Sequence, residues 1–147
     1  MYNLLITNQP RSHNTWKKMS EVKKLSYRTA LKESLQRYHG EAEVVTDSDL
    51  YGLVYYFHKS RSTQDADNLS KPVWDSLKGV LYPDDNIVKF RIAGMFNLSE
   101  DDSQTLDITS LPPEFASDFL HAIDTEEHIV YIECGRMRND FFRFNIE

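Results

Sequence analysis

Runs of apolar residues separated by polar stretches predict a definite order of strands in this 147-residue chain. Runs rich in Val, Ile, Leu, Tyr and Phe predict strands over residues 2–7, 50–58, 86–96 and 128–134. The third of these runs alternates, so Lys89 and Arg91 should lie on the same side of the strand as Asp85. Four short strands are enough for one small β-sheet.

Helical patterns fall between these strands. A capping Ser20 and a following Gly40 predict a long helix over 20–39, and an apolar edge predicts another over 114–123. A third stretch precedes Gly79, and its Pro72 belongs in the first helical turn, which makes 65–70 a predicted turn. The expected fold class is α+β: a small mixed β-sheet of about four strands with two main helices packed on one side, plus an acidic helical insertion before the last strand.

The helix before Gly79 has two distinct faces. At 100° per residue its apolar positions form one face and its polar positions form the opposite face. The apolar face holds Leu69, Val73, Leu77 and Val80, and the polar face holds Asn68, Lys71, Asp75 and Lys78. Lys71 and Asp75 are four residues apart and should orient one another. The polar face is therefore free to line a cleft.

Aspartates on either side of this helix indicate what kind of site the cleft could form. Asp65 and Asp67 precede it, and Asp84 and Asp85 follow it. Carboxylates gathered into one cleft repel one another unless cations lie between them. Mg²⁺ takes oxygen ligands and keeps positions open for water and phosphate. A divalent metal site for phosphodiester cleavage is the simplest interpretation, and a solvated acidic turn is the alternative.

Other ligand sites fit the sequence less well. A calcium loop of the EF-hand type would need glycine where Ser70 stands and glutamate where Ser76 stands. No Gly-rich phosphate loop occurs, so no nucleotide cofactor is expected. The five histidines lack zinc-ligand spacing, and the single Cys134 excludes an internal disulfide framework.

Composition predicts one soluble domain over residues 1–147. No apolar run is long enough for a bilayer span, and polar residues interrupt the N-terminus where a signal peptide would need an apolar stretch, so no membrane association is expected. The net charge is −6, but residues 1–40 hold eight Lys or Arg against two Glu. The basic end is the expected surface for DNA phosphates.

The acidic residues stand in a motif that resembles a known family, the RusA-type Holliday junction resolvases. That motif reads approximately Asp-x-Asp-Asn-x-x-Lys-Pro, then x-x-Asp-x-Leu-x-Gly, then Asp-Asp. Here it is Asp65-Ala-Asp67-Asn68-Leu-Ser-Lys71-Pro, then Val-Trp-Asp75-Ser-Leu-Lys-Gly, then Asp84-Asp85. A weaker match is Pro-Arg-Ser-His-Asn-Thr-Trp at 10–16, which is similar to a segment before the family's first helix. The resemblance covers about residues 1–98 and 126–134.

The resemblance implies a homodimeric, Mg²⁺-dependent endonuclease that nicks four-way DNA junctions symmetrically in recombination and repair, with Mn²⁺ as a substitute ion. It implies that Asp65, Asp67 and Asp85 coordinate the metal and that Lys71 is the essential basic residue. Asn68, Asp75 and Asp84 are expected nearby in supporting positions. By resemblance, the location is the cytoplasm of bacterial or phage-infected cells. Two alternatives are a non-catalytic DNA-binding or protein-interaction module of the same fold and a related flap or fork nuclease.

Basic residues outside the motif are candidates for DNA backbone contacts. Lys24, Arg28 and Lys32 repeat every four residues along the 20–39 helix and form a stripe, which is also typical of a merely solvated helix face. Two further candidates lie in the loop before Asp65. The full predicted DNA-binding set is Lys17, Lys24, Arg28, Lys32, Lys59 and Arg61.

Two segments depart from the family pattern. Residues 99–127 form a predicted acidic insertion, which is either a packed excursion or an element that binds a protein partner or mimics DNA. Residues 135–147 form a tail whose three phenylalanines predict docking on the core or on a second subunit.

Overall fold

The computed structural model describes residues 1–60, 62, 64–99 and 105–138. Its elements follow the predicted order of strands and helices. The strands are β1 (Tyr2–Ile6), β2 (Leu50–His58), β3 (Val88–Asn97) and β4 (His128–Arg136). The helices are α1 (His13–Lys18), α2 (Glu21–His39), α3 (Ala66–Leu77) and α4 (Pro113–Thr125), with a 3₁₀ turn at Asp85–Ile87. In the part of the chain described, no helix is long and apolar enough to cross a membrane.

The four strands form one mixed sheet in the order β1-β4-β2-β3. β2 pairs in parallel with β3, whereas β4 is antiparallel to both β1 and β2. A parallel pair needs a crossover connection, and α3 supplies it between β2 and β3. The predicted α+β class and mixed sheet are confirmed. The crossover also places α3 beside the edge strand β3, where the acidic motif lies.

Apolar side chains pack on both faces of the sheet. On the first face, Leu31 of α2 and Val73 of α3 belong to one cluster with Val54 and Ile132 from the central strands. On the second face, Phe115 of α4 belongs to another cluster. The prediction that helices lie on one side holds for α1 to α3, while α4 covers the opposite side. The sheet is therefore the middle of three layers.

The start of α3 differs from the sequence prediction. The predicted turn over 65–70 is wrong, because α3 begins at Ala66 and Pro72 is its seventh residue. A proline inside a helix costs roughly 3 kcal/mol. Burying one large apolar side chain returns roughly 1.5–3 kcal/mol, and Leu69, Val73, Trp74 and Leu77 are all at most 2% exposed. Packing against the sheet therefore outweighs the proline penalty.

The short helix α1 was not anticipated from the apolar pattern. Six residues are too few to show a helical period, but Ser12 caps the helix by accepting a hydrogen bond from the Thr15 backbone N–H at 3.2 Å. Trp16 is buried and packs edge-on against Tyr27 of α2 at 5.4 Å between ring centroids. This contact fixes α1 against α2.

Helix α4 packs through its apolar edge, as expected for a structured excursion. Phe115 and Phe119 are buried on the second face of the sheet. Asp118 accepts a hydrogen bond from the Tyr38 hydroxyl at 2.7 Å and pairs with Arg37 of α2 at 2.8 Å. The binding of a protein partner and the DNA-mimic role stay predictions. Residues 100–104 and 139–147, with most of the predicted aromatic tail, lie outside the described residues.

At Gly52 of β2 the strand backbone lies directly against the Trp74 ring of α3. A Cβ atom built there would lie 2.5 Å from Cη2 and 2.6 Å from Cζ2 of the Trp74 indole. Because Trp74 is fully buried, its ring has no open space to move into. We expect Gly52→Ala to lower the free energy of unfolding by roughly 1–3 kcal/mol, as overpacked cores do. Urea denaturation measures this change.

The matched control for Gly52→Ala is the same substitution in a Trp74→Phe background. The contacting atoms belong to the outer ring of the indole, which phenylalanine lacks, so the penalty should shrink markedly. Equal penalties in both backgrounds would contradict the assignment of the clash to Trp74, because contacting residues are expected to be non-additive.

Candidate active site

The N-terminal turn of α3 presents the first two predicted metal ligands. Asp65 is the N-cap residue in extended conformation, and its side chain makes no capping hydrogen bond. Asp67 lies in the first turn, and both residues are exposed. The helix N-terminus carries partial positive charge, which favours carboxylates at this position. Local structure thus tolerates two neighbouring acidic residues here.

Lys71 follows one turn after Asp67, so the two side chains lie on the same face of α3. Its ammonium donates a hydrogen bond to Asp75 Oδ1 at 3.1 Å. This confirms the predicted orientation of Lys71 by Asp75. Both side chains remain partly exposed, at 44% for Lys71 and 31% for Asp75. The ion pair therefore orients the Lys71 ammonium but adds little to the stability of the fold.

Two different basic side chains hold the second acidic pair, Asp84 and Asp85. Lys78 pairs with Asp84 at 3.3 Å and holds the pKa of that carboxyl below its usual range. Arg91 of β3 pairs with Asp85: its Nη2 donates to Oδ2 at 3.0 Å and to the backbone carbonyl at 2.8 Å. The alternation of β3 had predicted Arg91 on the side of Asp85, and this contact confirms it. The two aspartates therefore point to separate partners.

An open cleft between α3 and β3 brings part of the predicted site together. It has a volume of about 540 Å³. It is lined by Ala66, Asp67, Asn68, Ser70, Lys71, Arg91 and Ala93. Asp85 is bonded to Arg91 but, like Asp65, Asp75 and Asp84, is not among the lining residues. One acidic and two basic residues thus border one space.

The donor set fits a hard divalent cation in chemistry, since aspartate oxygens are ligands of Mg²⁺. Across residues 1–60, 62, 64–99 and 105–138, however, no three His, Cys, Asp or Glu side chains form a group arranged to hold a metal ion. The Asp85 carboxylate is instead engaged with Arg91. The ligand set Asp65, Asp67 and Asp85 therefore stays a prediction, and Arg91 competes with a metal ion for Asp85.

Basic residues of the predicted DNA surface lie on α1 and α2, both of which contact α3. Lys24 and Arg28 lie over the Trp16 ring at 5.9 Å and 5.8 Å from its centroid. Lys17 and Lys32 are exposed, and Lys59 follows β2 in a half-buried position. Arg61 lies outside the described residues. Their contacts with DNA stay a prediction.

A second cavity of about 570 Å³ lies at the start of β2. Its lining includes Tyr51, Cys134 and Arg136. Burial raises the pKa of the Cys134 thiol to about 12, so this thiol is neutral and unsuited to metal binding at neutral pH. Among the described residues, none of the predicted metal-binding or DNA-binding residues lines this cavity. Size alone does not locate the site.

The fold and the cleft define an α+β protein that gathers aspartate, lysine and arginine at one edge of a mixed sheet. A protein-family model described as Endodeoxyribonuclease RusA matches residues 6–109, which is more than half of the chain. The chain therefore belongs to the RusA endodeoxyribonuclease family, and the resemblance found in the motif is confirmed. The matched range includes α3, the Asp84-Asp85 loop and β3, and it ends before α4. No curated protein matches the chain.

Proposed function

We propose that this endodeoxyribonuclease resolves four-way DNA junctions by paired symmetric nicks in a reaction that requires Mg²⁺, with Mn²⁺ as a substitute ion. The observation that carries the proposal is the cleft between α3 and β3, where Asp67, Lys71 and Arg91 face one space within the family-matched residues. The biological setting proposed is recombination and repair in the cytoplasm of bacterial or phage-infected cells.

In this proposal, Asp65, Asp67 and Asp85 hold the metal ion. When bound, Mg²⁺ supplies a Lewis acid for the phosphate and lowers the pKa of a water nucleophile. Lys71 directs its ammonium toward the developing negative charge on the phosphate, and Asp75 keeps that ammonium in place through the 3.1 Å hydrogen bond. Asn68 lines the same cleft and contributes an amide for the DNA backbone.

Two coordinated nicks on a symmetric junction need two active sites related by a two-fold axis. A homodimer provides that arrangement, because its two copies of the site are related by a two-fold axis. We therefore propose a homodimer, and junction shape as the main determinant of recognition. Analytical ultracentrifugation of the protein at low micromolar concentration should give a dimer mass.

Cleavage of synthetic DNA substrates tests the proposed activity. Four-way junctions, flaps and forks of shared sequence should be compared in Mg²⁺ and in EDTA. The proposal expects junctions to be nicked at paired positions in opposite strands, in Mg²⁺ only. Preferential cutting of flaps or forks would favour a related nuclease, and binding without cutting in either Mg²⁺ or Mn²⁺ would favour a non-catalytic module.

Lys32 provides a separate test of the basic stripe on α2. Its side chain is exposed, so Lys32→Gln should leave the fold intact. If Lys32 contacts a phosphate, the salt dependence of junction affinity, as log Kd against log salt, should lose about one unit of slope. Fluorescence anisotropy at several salt concentrations measures it.

The matched control for Lys32→Gln is Lys23→Gln, which removes the same charge from an exposed position of the same helix but off the stripe. Equal effects of the two substitutions would show a general charge effect rather than a contact made by the stripe.

A further inference from the structure

Arg91 joins the two halves of the proposed site, although the family motif does not include it. Arg91 lines the cleft with Asp67 and Lys71, and its guanidinium pairs with Asp85, which belongs to the acidic pair. The ion pair is about two thirds or more removed from solvent, with 33% of the Arg91 side chain and 25% of the Asp85 side chain exposed. Arg91 is therefore a direct link between the cleft and Asp85.

The contact with Asp85 uses one of the three nitrogen atoms of the guanidinium. Both hydrogen bonds to Asp85 come from Nη2, one to the carboxylate and one to the backbone carbonyl. A guanidinium carries five N–H donors in a rigid fork that matches phosphate as well as carboxylate. Arg91 thus lines the cleft in which a DNA phosphate is expected, and its Nε and Nη1 donors are not used on Asp85.

The same contact opposes metal binding by Asp85. A carboxylate oxygen that accepts a hydrogen bond from a guanidinium at 3.0 Å presents less negative charge to a cation, and two positive centres sharing it repel one another. Metal binding by Asp85 is therefore favoured when the side chain leaves Arg91. The released guanidinium would then need a new anion, and the nearest candidate is the phosphate that the metal also binds.

We propose, on the basis of the function proposed above, that Arg91 is a positioning residue that holds Asp85 until the metal arrives and then transfers its guanidinium to a phosphate of the bound DNA. The exchange couples metal binding to DNA binding, because the metal takes Asp85 from the ion pair and the DNA phosphate takes Arg91. Without DNA, Arg91 lowers the metal affinity; with the metal bound, it raises the DNA affinity.

Metal binding without DNA is the first test. We expect Arg91→Gln to bind Mn²⁺ more tightly than wild type, by roughly three- to tenfold, because a competing positive charge is lost. Electron paramagnetic resonance of free Mn²⁺ in a titration measures this affinity without reference to cleavage. Circular dichroism establishes that the variant is folded.

Junction affinity with and without Mn²⁺ is the second readout, using a junction with non-hydrolysable linkages at the crossover. Mn²⁺ should tighten junction binding by wild type roughly tenfold and by Arg91→Gln much less, since coupling between two sites of about 1–3 kcal/mol is typical. Lys89→Gln is the matched control. It removes a charge from an exposed position on the same side of β3. We expect it to change neither the Mn²⁺ affinity nor the tightening of junction binding by Mn²⁺.

The possible outcomes separate the two proposals. If wild type binds Mn²⁺ and Asp67→Asn does not, but Arg91→Gln binds it no more tightly than wild type, the positioning role of Arg91 is wrong while the metal site stands. If Lys89→Gln reproduces both effects of Arg91→Gln, general charge explains them and the role of Arg91 is also wrong. If wild type itself binds no Mn²⁺, the metal-dependent function fails and the inference fails with it.

Discussion

Asp67→Asn is expected to abolish Mg²⁺-dependent cleavage of a four-way junction while leaving junction binding close to the wild-type level. Asparagine has the shape of aspartate but lacks the negative charge that a metal ion requires of its ligands. Asp67 is exposed in the first turn of α3 and lines the cleft, so the substitution should not disturb packing. Single-turnover cleavage should fall by at least about 10²-fold.

The matched control for Asp67→Asn is Asp124→Asn, the same change at an exposed position of α4. It should cleave at the wild-type rate. Retained cleavage by Asp67→Asn would remove this residue from the metal site. Loss of both binding and cleavage would instead indicate that Asp67 acts in DNA recognition.

The α3 segment shows how far the apolar pattern alone could predict this fold. The apolar face was predicted to hold Leu69, Val73, Leu77 and Val80. The first three are buried, whereas Val80 lies beyond the end of α3 and is half-buried. The helix start was wrong because a local rule about Pro72 was applied without the tertiary packing that outweighs it. Local propensity is a weak prior, and the buried face of a helix decides where that helix begins.

The arrangement of the sheet was less accessible to prediction. Strand positions follow from apolar runs, but the order β1-β4-β2-β3 depends on contacts between residues far apart in sequence. Packing of α4 on the second face has the same origin, since its apolar edge predicted burial but not the surface that it contacts. A single sequence carries no signal for such pairings.

The candidate site was predicted in its composition and only partly in its geometry. Asp67, Asn68 and Lys71 share a cleft because helical periodicity places them on one side of α3. Strand alternation predicted that Asp85 and Arg91 lie on the same side of β3, but it did not predict their ion pair. Nothing in the sequence indicates that a carboxylate expected to bind metal already has a cationic partner.

Trp74→Ala is expected to destabilise the protein strongly and also to impair cleavage. Trp74 is fully buried between α3 and the sheet, where its ring contacts Gly52. Removing a buried tryptophan costs about 3–5 kcal/mol, through lost transfer free energy and the cavity left behind. The helix that loses this anchor carries Asp67 and Lys71, so their positions should loosen as well. Urea denaturation measures the first effect, and cleavage assayed well below the variant's thermal unfolding midpoint measures the second.

Phe115→Ala separates loss of stability from loss of site geometry. Phe115 is only 1% exposed and packs on the second face of the sheet, away from α3. Its removal should lower the free energy of unfolding by about 3–5 kcal/mol, as for Trp74→Ala. Because α4 carries none of the cleft residues, the folded variant should cleave junctions at the wild-type rate when both variants are assayed equally far below their midpoints. If both variants lose cleavage equally, the defect follows stability alone, and the packing of α3 on Gly52 and the sheet has no specific role in holding the carboxylate and the ammonium in place.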